Sequence, residues 1–264
     1  MTLAVEQAAL MMTIQDAGRF GYRRFGMPES GPIDWWAHRC ANLLVGNPTN
    51  AACFEVGYSA ASMIAGADSL LAVCGAGYSI AVNQRQIPLW MSFWVKRGDR
   101  ITIRKELGGQ WVYLAVQGGF QTHQWMGSRS VNIRAGLGCQ IKDGDIIKSD
   151  GRISQARANA GRVIPNELRP DYKADRIIRV VPGPHQDRFT TGSIKDFYSK
   201  PYSLTLNSDR MGYRLSGPKI NHTHGADLIS QGMVMGEIQV PPDGQPIVMM
   251  PDHPTTGGYT CIAT

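Results

Sequence analysis

The amino-acid sequence predicts a mainly β protein made of two units. Its 30 glycines and 15 prolines are spread along the chain and separate short runs of apolar residues, a pattern typical of β-sheet proteins. Only two segments have the apolar spacing of a helix. Between Gly151 and Asp175 the composition becomes polar and basic, which fits a connector. We therefore expect an N-terminal unit over 1–170 and a C-terminal unit over 171–264.

Seven segments combine an apolar run with flanking turn residues, and this pattern predicts strands. They are Leu70 to Val73, Ser79 to Val82, Ile101 to Arg104, Trp111 to Val116, Arg176 to Val181, Tyr202 to Leu206 and Pro246 to Met250.

The two helical segments differ in the quality of their pattern. In Ile33 to Val45 apolar residues recur at three- and four-residue spacings, Asp34 stands near the start, and Gly46 follows the end. The spacing predicts a helix there. In Gln186 to Tyr198 the apolar stripe is imperfect and is interrupted by Thr190-Thr191-Gly192. That segment fits either one short helix or two turns.

Bulk composition limits the classes of function. The formal net charge is +6 and the pI is about 9.1, which favours anionic ligands or an acidic partner surface. The Lys and Arg residues are scattered and form no basic stripe, so nucleic-acid binding is not expected. The five cysteines form no Cys-x-x-Cys pair, and we expect buried free thiols. No apolar run approaches the ~20 residues that span a bilayer, and we expect a cytoplasmic protein with no membrane association.

A first candidate site is the segment Thr13 to Asp34, where arginines stand among glycines. Such a loop can present the guanidinium group of Arg19 and free backbone N–H groups to an anion. In the alternative interpretation, which this segment taken alone favours, Asp16 and Arg19 hold the loop together.

A second candidate site joins Ala115 to Phe120 with Met126 to Ser130. The strand predicted at Trp111 to Val116 runs into Gly118 and Gly119, which allow a ligand or another strand to approach the backbone closely. A tight hairpin explains the two glycines equally well.

The third segment, Asn207 to Tyr259, carries the richest set of polar side chains. Arginines can hold a carboxylate or phosphate, glutamines can pair with an amide or ureido group, a carboxylate can act as base or orienter, and threonines beside glycines can stabilise an oxyanion. The residues that we assign to substrate binding are Asp209, Arg210, Arg214, Gln239 and Gln245, with Arg19 from the first segment, and those that we assign to catalysis are Asp252, Thr255 and Thr256. The alternative is a set of turn residues in which an Arg–Asp pair holds the fold closed.

Two further patterns are weaker. His222 and His224 form a His-x-His pair, but a metal site needs more ligands, and we expect a solvated turn and no metal. An Arg-x-Gly-Tyr-Arg string occurs twice, starting at Arg19 and at Arg210, and each copy is followed by Ser-Gly-Pro. This repetition suggests related sites or a duplication.

The whole chain resembles a known family. The residues that carry the resemblance are Thr13-Ile-Gln-Asp16-x-Gly-Arg19, Ser30-Gly31, Ala41-Asn42-Leu-Leu-Val-Gly-Asn-Pro48, Glu55, Gly75, Gly98-Asp99, Tyr113-Leu-Ala-Val-x-Gly-Gly119, Gly127-Ser-Arg-Ser130, Ser208-Asp-Arg-Met-Gly212, Gln239-Val-Pro, Asp243-Gly-Gln-Pro246 and Thr255-Thr-Gly-Gly-Tyr259. In order and spacing they resemble the family that contains the C subunit of 5-oxoprolinase, Kip antagonist proteins, the second subunit of allophanate hydrolase and the carboxyltransferase domain of urea carboxylase.

The resemblance implies two cyclophilin-like β-barrel halves with few short helices. It also implies a B subunit as partner and, for 5-oxoprolinases, an A subunit and ATP with Mg. The chain departs from the family at Asp252-His253-Pro254-Thr255, where Asp-Arg-Gln-Thr is common. Family members also continue beyond the Gly-Gly-Tyr segment, so we expect the second barrel to be truncated.

Three functions are compatible with the resemblance. The first is a role as one subunit of an ATP-dependent 5-oxoprolinase that opens 5-oxoproline to glutamate. The second is a carboxyltransferase half-site that passes CO2 from carboxybiotin to urea or a related amide. Because the chain lacks a Met-Lys-Met string, biotin would arrive on another protein. The third is a non-catalytic regulatory antagonist of its B-subunit partner.

Overall fold

The computed structural model describes residues 1–150, 157–172 and 177–264. The mainly β class is confirmed. Two compact units emerge: unit 1 comprises Met1–Arg19 and Ser30–Arg176, and unit 2 comprises Phe20–Glu29 and Ile177–Thr264. The assignment of two domains with a boundary near residue 170 stays a prediction.

Unit 1 contains two antiparallel sheets. Its strands are β1 (Thr2–Gln7), β2 (Met11–Gln15), β3 (Cys53–Gly57), β4 (Ala61–Ala65), β5 (Ser69–Gly75), β6 (Tyr78–Val82), β7 (Arg85–Ile87), β8 (Met91–Val95), β9 (Arg100–Lys105), β10 (Trp111–Val116), β11 (Phe120–Gln121) and β12 (Ile146–Ser149). One sheet has the order β11-β12-β1-β4-β9-β6-β7 and the other the order β2-β3-β10-β5-β8.

The two sheets of unit 1 share one apolar core, and a helix covers the other face of the smaller sheet. Leu3 and Met63 of the larger sheet belong to the same buried cluster as Phe54 and Leu71 of the smaller one. All residues of β5 and β10 are buried. Both strands read as continuous apolar runs because the large sheet packs on one face and the helix on the other.

The helix of unit 1, α1, spans Trp35–Val45. Asp34 caps it, because its Oδ1 accepts a hydrogen bond of 2.9 Å from the backbone N–H of Ala37. Gly46 ends it in the left-handed conformation, with φ +78°. The helix predicted at Ile33 to Val45 is therefore confirmed, with its start moved to the residue after the cap.

Unit 2 contains one antiparallel sheet of six strands in the order β13-β14-β17-β16-β18-β15. The strands are β13 (Ser203–Leu204), β14 (Gly212–Ser216), β15 (Asp227–Gly232), β16 (Ile238–Val240), β17 (Ile247–Met249) and β18 (Thr256–Ala263). A 3-10 turn (Gln186–Arg188) precedes the helix α2 (Thr191–Ser199), so the segment predicted as one helix or two turns contains both. The buried core is formed by Phe189, Ile220, Ile238, Val240, Ile262 and Ala263.

Two structural predictions need correction. The word barrel is not literal, because in the described part of the chain each sheet is open and ends in two edge strands. The strand predicted at Arg176 to Val181 is wrong for its described residues 177–181. Ile177 and Ile178 are 95% and 76% exposed, since their apolar side chains have no neighbouring sheet face to pack on. Arg176 itself lies outside the described residues.

Five of the predicted strands are confirmed. They are Leu70 to Val73 (β5), Ser79 to Val82 (β6), Ile101 to Arg104 (β9), Trp111 to Val116 (β10) and Pro246 to Met250 (β17). The strand predicted at Tyr202 to Leu206 shortens to Ser203–Leu204. Four cysteines are buried free thiols as expected, whereas Cys139 is exposed. In the described ranges, helices are too short or too polar to span a bilayer.

Candidate functional site

Arg210 and Asp252 form a buried, bidentate ion pair in unit 2. Arg210 Nε donates to Asp252 Oδ2 at 2.8 Å and Nη2 donates to Oδ1 at 3.0 Å. The side chains are 6% and 9% exposed. The backbone N–H of Asp252 also donates to the carbonyl of Arg210 at 2.8 Å. The pair therefore joins the loop before β14 to the loop after β17, and both carboxylate oxygens of Asp252 accept hydrogen bonds from Arg210.

The neighbours of Arg210 in sequence have different roles. Asp209 Oδ1 accepts hydrogen bonds from the backbone N–H groups of Met211 and Gly212, at 2.8 and 3.2 Å, and so closes its own turn. Arg214 lies in β14 with an exposed side chain. Of the two arginines assigned to anion binding, the solvent-facing one is thus Arg214.

Gln239 lies in a buried polar cluster. Its Nε2 donates to Glu237 Oε1 at 3.0 Å and contacts Met233 Sδ at 2.8 Å. Gly257 in β18 faces the same amide, and a Cβ there would lie 2.8 Å from Gln239 Nε2 and 2.3 Å from Met233 Sδ. Because this space has no room for a side chain, the glycine lets β18 run close to the Gln239 amide.

Gln245 binds the protein backbone with both ends of its amide. Its Oε1 accepts a hydrogen bond from the N–H of Gly217 at 3.0 Å, and its Nε2 donates to the carbonyl of Gly217 at 3.3 Å. This arrangement mimics a strand pairing and fastens the turn after β14. The predicted amide-binding groups of Gln245 are therefore engaged within unit 2.

The remaining predicted residues of unit 2 surround the start of β18. The carbonyl of Thr255 accepts a hydrogen bond of 3.1 Å from the N–H of Met233, and Thr256 is exposed in β18. His253, at the position that departs from the family pattern, is buried, and burial lowers the pKa of its imidazole below the ordinary value. Its Nδ1 lies 2.5 Å from the carbonyl oxygen of Pro254.

The His-x-His pair serves the fold of unit 2. His222 Nε2 lies 2.9 Å from Thr260 Oγ1 and 3.2 Å from the carbonyl oxygen of Val240, while His224 Nδ1 lies 2.9 Å from Thr223 Oγ1. Within the described ranges, His, Cys, Asp and Glu side chains form no group of three that could hold a metal ion.

Arg19 is buried in unit 1, and its guanidinium group binds neighbouring loops. It donates to the carbonyl oxygens of Trp125 and Ser130 and, at 3.2 Å, to Ser30 Oγ. Arg19 is only 1% exposed. The geometry favours the structural interpretation of this segment.

Asp16 organises the loop Gly127-Ser-Arg-Ser130. Its Oδ1 accepts hydrogen bonds from Ser128 Oγ at 2.6 Å and Ser130 Oγ at 2.7 Å, and its Oδ2 accepts one from the backbone N–H of Arg129 at 2.6 Å. Three consecutive residues are thus fixed by one buried carboxylate.

This loop borders a cavity of about 240 Å³ in unit 1, which we call the Arg129 pocket. Four parts of the chain line it: Asp16, the loop after α1, the glycine turn after β10, and the loop Gly127-Ser-Arg-Ser130. The lining residues are Asp16, Pro48, Asn50, Ala51, Ala52, Gly118, Gly119, Phe120, Gln121, Gln124, Gly127 and Arg129. The pocket brings together motifs from the first two candidate segments that are far apart in sequence.

Two glycines shape the wall of the Arg129 pocket. Gly118 and Gly119 have φ angles of +84° and +68°, and a Cβ at Gly119 would lie 3.2 Å from the Cβ of Ala51. The backbone therefore turns there in a conformation that favours glycine. The N–H of Gly118 donates to Asn47 Oδ1 at 2.8 Å, which fixes the turn to the end of α1.

Arg129 is the pocket's only charged side chain besides Asp16 among the lining residues. Its Nη2 donates to Gln121 Oε1, while its buried Nε has no hydrogen-bond partner among the described residues. Sequence reasoning included this loop in a candidate segment but did not assign Arg129 to the site. The consecutive glycines and the Gly-Ser-Arg-Ser string were the signals that could have found it.

Comparisons with known proteins agree with this architecture. The profile of the family described as "Carboxyltransferase domain, subdomain A and B" matches residues 25–264. The chain is 34% identical over 261 residues to the C subunit of 5-oxoprolinase from Escherichia coli (strain K12), covering 99% of this chain and 83% of that protein.

Two solved structures are similar along the whole chain. The crystal structure of TTHA0988 superposes with a TM-score of 0.88 at 32% identity, covering 99% of this chain and 50% of that one. The K. lactis urea amidolyase superposes with a TM-score of 0.85 at 27% identity, covering 100% of this chain and 17% of that one. The chain thus spans about half the length of TTHA0988 and a small part of urea amidolyase. By sequence profile and by fold, the chain belongs to the family of carboxyltransferase domains with subdomains A and B.

Proposed function

We propose that the chain is one subunit of an ATP-dependent 5-oxoprolinase and that, together with a B subunit and an A subunit, it opens 5-oxoproline to glutamate. The observation that carries this proposal is the similarity to the C subunit of 5-oxoprolinase, which is 34% identical over nearly the whole chain and over 83% of the E. coli protein. The assembled complex, in a cytoplasmic setting, would consume ATP with Mg.

The chemistry of the substrate supports the proposal. 5-Oxoproline is a cyclic amide that carries one carboxylate, and its recognition needs an anion-binding group and amide-binding groups. In unit 2, the exposed Thr256 and the neighbouring Thr255 offer hydroxyl groups for an oxyanion, and the next residue, Gly257, runs close to the amide of Gln239. Arg210 and Asp252, which bind each other, would hold the two loops that present these groups.

A carboxyltransferase half-site is the second candidate function. It is favoured by the family profile and by the similarity to K. lactis urea amidolyase, with a TM-score of 0.85. In that case the amide groups would bind the ureido ring of a carboxybiotin that arrives on another protein, and CO2 would pass to urea or a related amide.

Co-expression with candidate A and B subunits separates the two functions. The assembled complex is assayed for glutamate formed from L-5-oxoproline, with and without Mg-ATP. We expect glutamate only when ATP and all three chains are present. In a parallel assay supplied with carboxybiotin and urea, formation of carboxylated urea as carboxybiotin is consumed, without glutamate from 5-oxoproline, would establish the second function instead. If the chain binds a B subunit but neither reaction occurs, a catalytic role is contradicted.

A further inference from the structure

The Arg129 pocket holds an arginine whose hydrogen-bonding capacity is only partly used. Arg129 Nη2 donates to Gln121 Oε1, but the buried Nε has no acceptor in the described part of the chain. A buried N–H group without an acceptor is energetically unfavourable, because it has lost its hydrogen bonds to water without replacement. Such a group in a pocket wall therefore favours a ligand that supplies an acceptor.

The geometry of the guanidinium group indicates the kind of acceptor. Nε and Nη2 form one edge of the group, and Arg210 uses these same two atoms to hold the two oxygens of Asp252. In Arg129 the neutral amide oxygen of Gln121 occupies only Nη2. A carboxylate that displaced Gln121 would engage both atoms and replace one neutral hydrogen bond by two charge-assisted ones.

Asp16 does not compete for this role. Its carboxylate accepts hydrogen bonds from Ser128 Oγ, Ser130 Oγ and the backbone N–H groups of Gly18 and Arg129. The carboxylate of Asp16 thus holds the Arg129 backbone in place, while the guanidinium group of Arg129 donates to Gln121. Asp16 is a positioning residue for this loop.

The size and lining of the pocket favour a small ligand. The cavity volume, about 240 Å³, is below the roughly 300–1,000 Å³ of most sites for larger molecules. The cavity also has one available guanidinium group. Besides Arg129 and Asp16, the polar side chains of the lining are the amides of Asn50, Gln121 and Gln124. Amides pair well with a lactam, which has one N–H donor and one carbonyl acceptor.

We propose that the Arg129 pocket of unit 1 is a binding subsite for a small cyclic amide with a carboxylate, in which Arg129 holds the carboxylate after Gln121 has moved aside. The identification of this ligand as 5-oxoproline rests on the proposed function. The subsite is independent of Arg210 and Arg214, which sequence reasoning assigned to the same anion.

The test compares binding of L-5-oxoproline and L-5-oxoprolinamide, which lacks the carboxylate, to the full chain by isothermal titration calorimetry. The wild-type chain should bind 5-oxoproline at least about tenfold more tightly than the amide, since a charge-assisted pair is at stake. Arg129→Gln should bind both compounds alike. Arg129→Lys keeps the positive charge but cannot donate two parallel hydrogen bonds to one carboxylate, and it should recover only part of the preference for 5-oxoproline over the amide. Arg85→Gln, an exposed arginine in the edge strand β7, is the matched control.

The outcomes separate the subsite from the proposed function. Equal affinity of the wild-type chain for the two compounds, or a preference that survives Arg129→Gln at unchanged thermal stability, would overturn the subsite. In the assembled complex, Arg129→Gln should raise the KM for 5-oxoproline about tenfold or more and leave kcat within about threefold. If the wild-type complex forms no glutamate while the isolated chain shows Arg129-dependent preference for the carboxylate, the subsite stands and the proposed function fails.

Discussion

Unit 1 and unit 2 both bury polar side chains, but the apolar cores beside those side chains differ in size. Unit 1 has two extensive apolar clusters, one between its sheets and one under α1, and its polar loop network lies at the margin of that core. Unit 2 has a small apolar cluster around Val240 and Ile262. Its loops are held by polar pairs such as Arg210 with Asp252 and Gln245 with Gly217.

This difference between the units shows that the type of a polar residue does not by itself tell whether its side chain binds a ligand or stabilises the fold. In unit 2, a small core leaves the loops dependent on buried hydrogen bonds, so that arginine and glutamine serve the fold. In unit 1, the sheets are stabilised by apolar burial, and an arginine can keep an unsatisfied N–H beside a pocket. Substitutions that separate folding from binding sharpen this comparison.

The largest effect is expected at the ion pair of unit 2. Arg210→Ala leaves Asp252 as a buried, unpaired carboxylate, and it should lower the free energy of unfolding by about 3–5 kcal/mol. The exposed Arg214→Ala should change it by less than about 0.5 kcal/mol. Chemical denaturation followed by circular dichroism measures both values.

A double substitution tests whether the ion pair is structural. Arg210→Met with Asp252→Leu removes both charges together and should restore most of the stability lost in Arg210→Ala. An Arg210→Ala variant with wild-type stability would show that the pair does not hold the loops of unit 2.

The next effect is expected from acid and arises in unit 1. Burial lowers the pKa of His38 from 6.5 to about 4, and its Nε2 lies 3.1 Å from the carbonyl oxygen of Gln15. The folded protein therefore keeps this imidazole neutral, whereas the unfolded chain takes up a proton near pH 6.5. The stability from this residue is present above pH 6.5 and is lost as the pH falls towards 4.

The size of that loss is about 3 kcal/mol, since a change of one in pKa corresponds to about 1.4 kcal/mol. It is measured as the difference in unfolding free energy between wild type and His38→Gln across the pH range. As the pH falls from 6.5 towards 4, the unfolding free energy of wild type should decrease steadily relative to that of His38→Gln. The control His224→Gln makes the same replacement at an exposed histidine of unit 2. A constant difference for His38→Gln would contradict the neutral, buried state.

A smaller effect is expected at Gln245. Gln245→Ala removes two hydrogen bonds to the backbone of Gly217 and should lower the unfolding free energy by about 1–2 kcal/mol. The exposed Gln86→Ala in β7 is the matched control and should be nearly neutral. Equal stabilities of the two variants would mean that Gln245 does not fasten this turn.

The sequence predicted those strands and helices whose apolar residues occupy the positions that are buried in the fold. The strands β5 and β10 are continuous apolar runs, and α1 is bounded by Asp34 and Gly46. The apolar pattern at 177–181 did not produce a strand, and Ile177 and Ile178 are exposed because apolar composition alone does not provide a face to pack on. Likewise, the resemblance to barrels did not reveal that the sheets are open.

The candidate site was harder to predict for a physical reason. Whether a guanidinium or amide group is available depends on partners that are distant in sequence, such as Asp252 for Arg210, 42 residues away. The sequence offered an Arg–Asp pair only as an alternative to binding. The Arg129 pocket is assembled from four separate segments, and only the glycine turn and the Gly-Ser-Arg-Ser string marked it.

The division between the two arginines is tested most directly by measuring the thermal midpoint and the affinity for 5-oxoproline in the same two variants. Arg129→Gln should keep the wild-type midpoint and lose affinity about tenfold or more. Arg210→Ala should lower the midpoint by several degrees and, below its transition, keep wild-type affinity. The reverse pattern, with affinity lost in Arg210→Ala and retained in Arg129→Gln, would contradict the assignment of the carboxylate to unit 1.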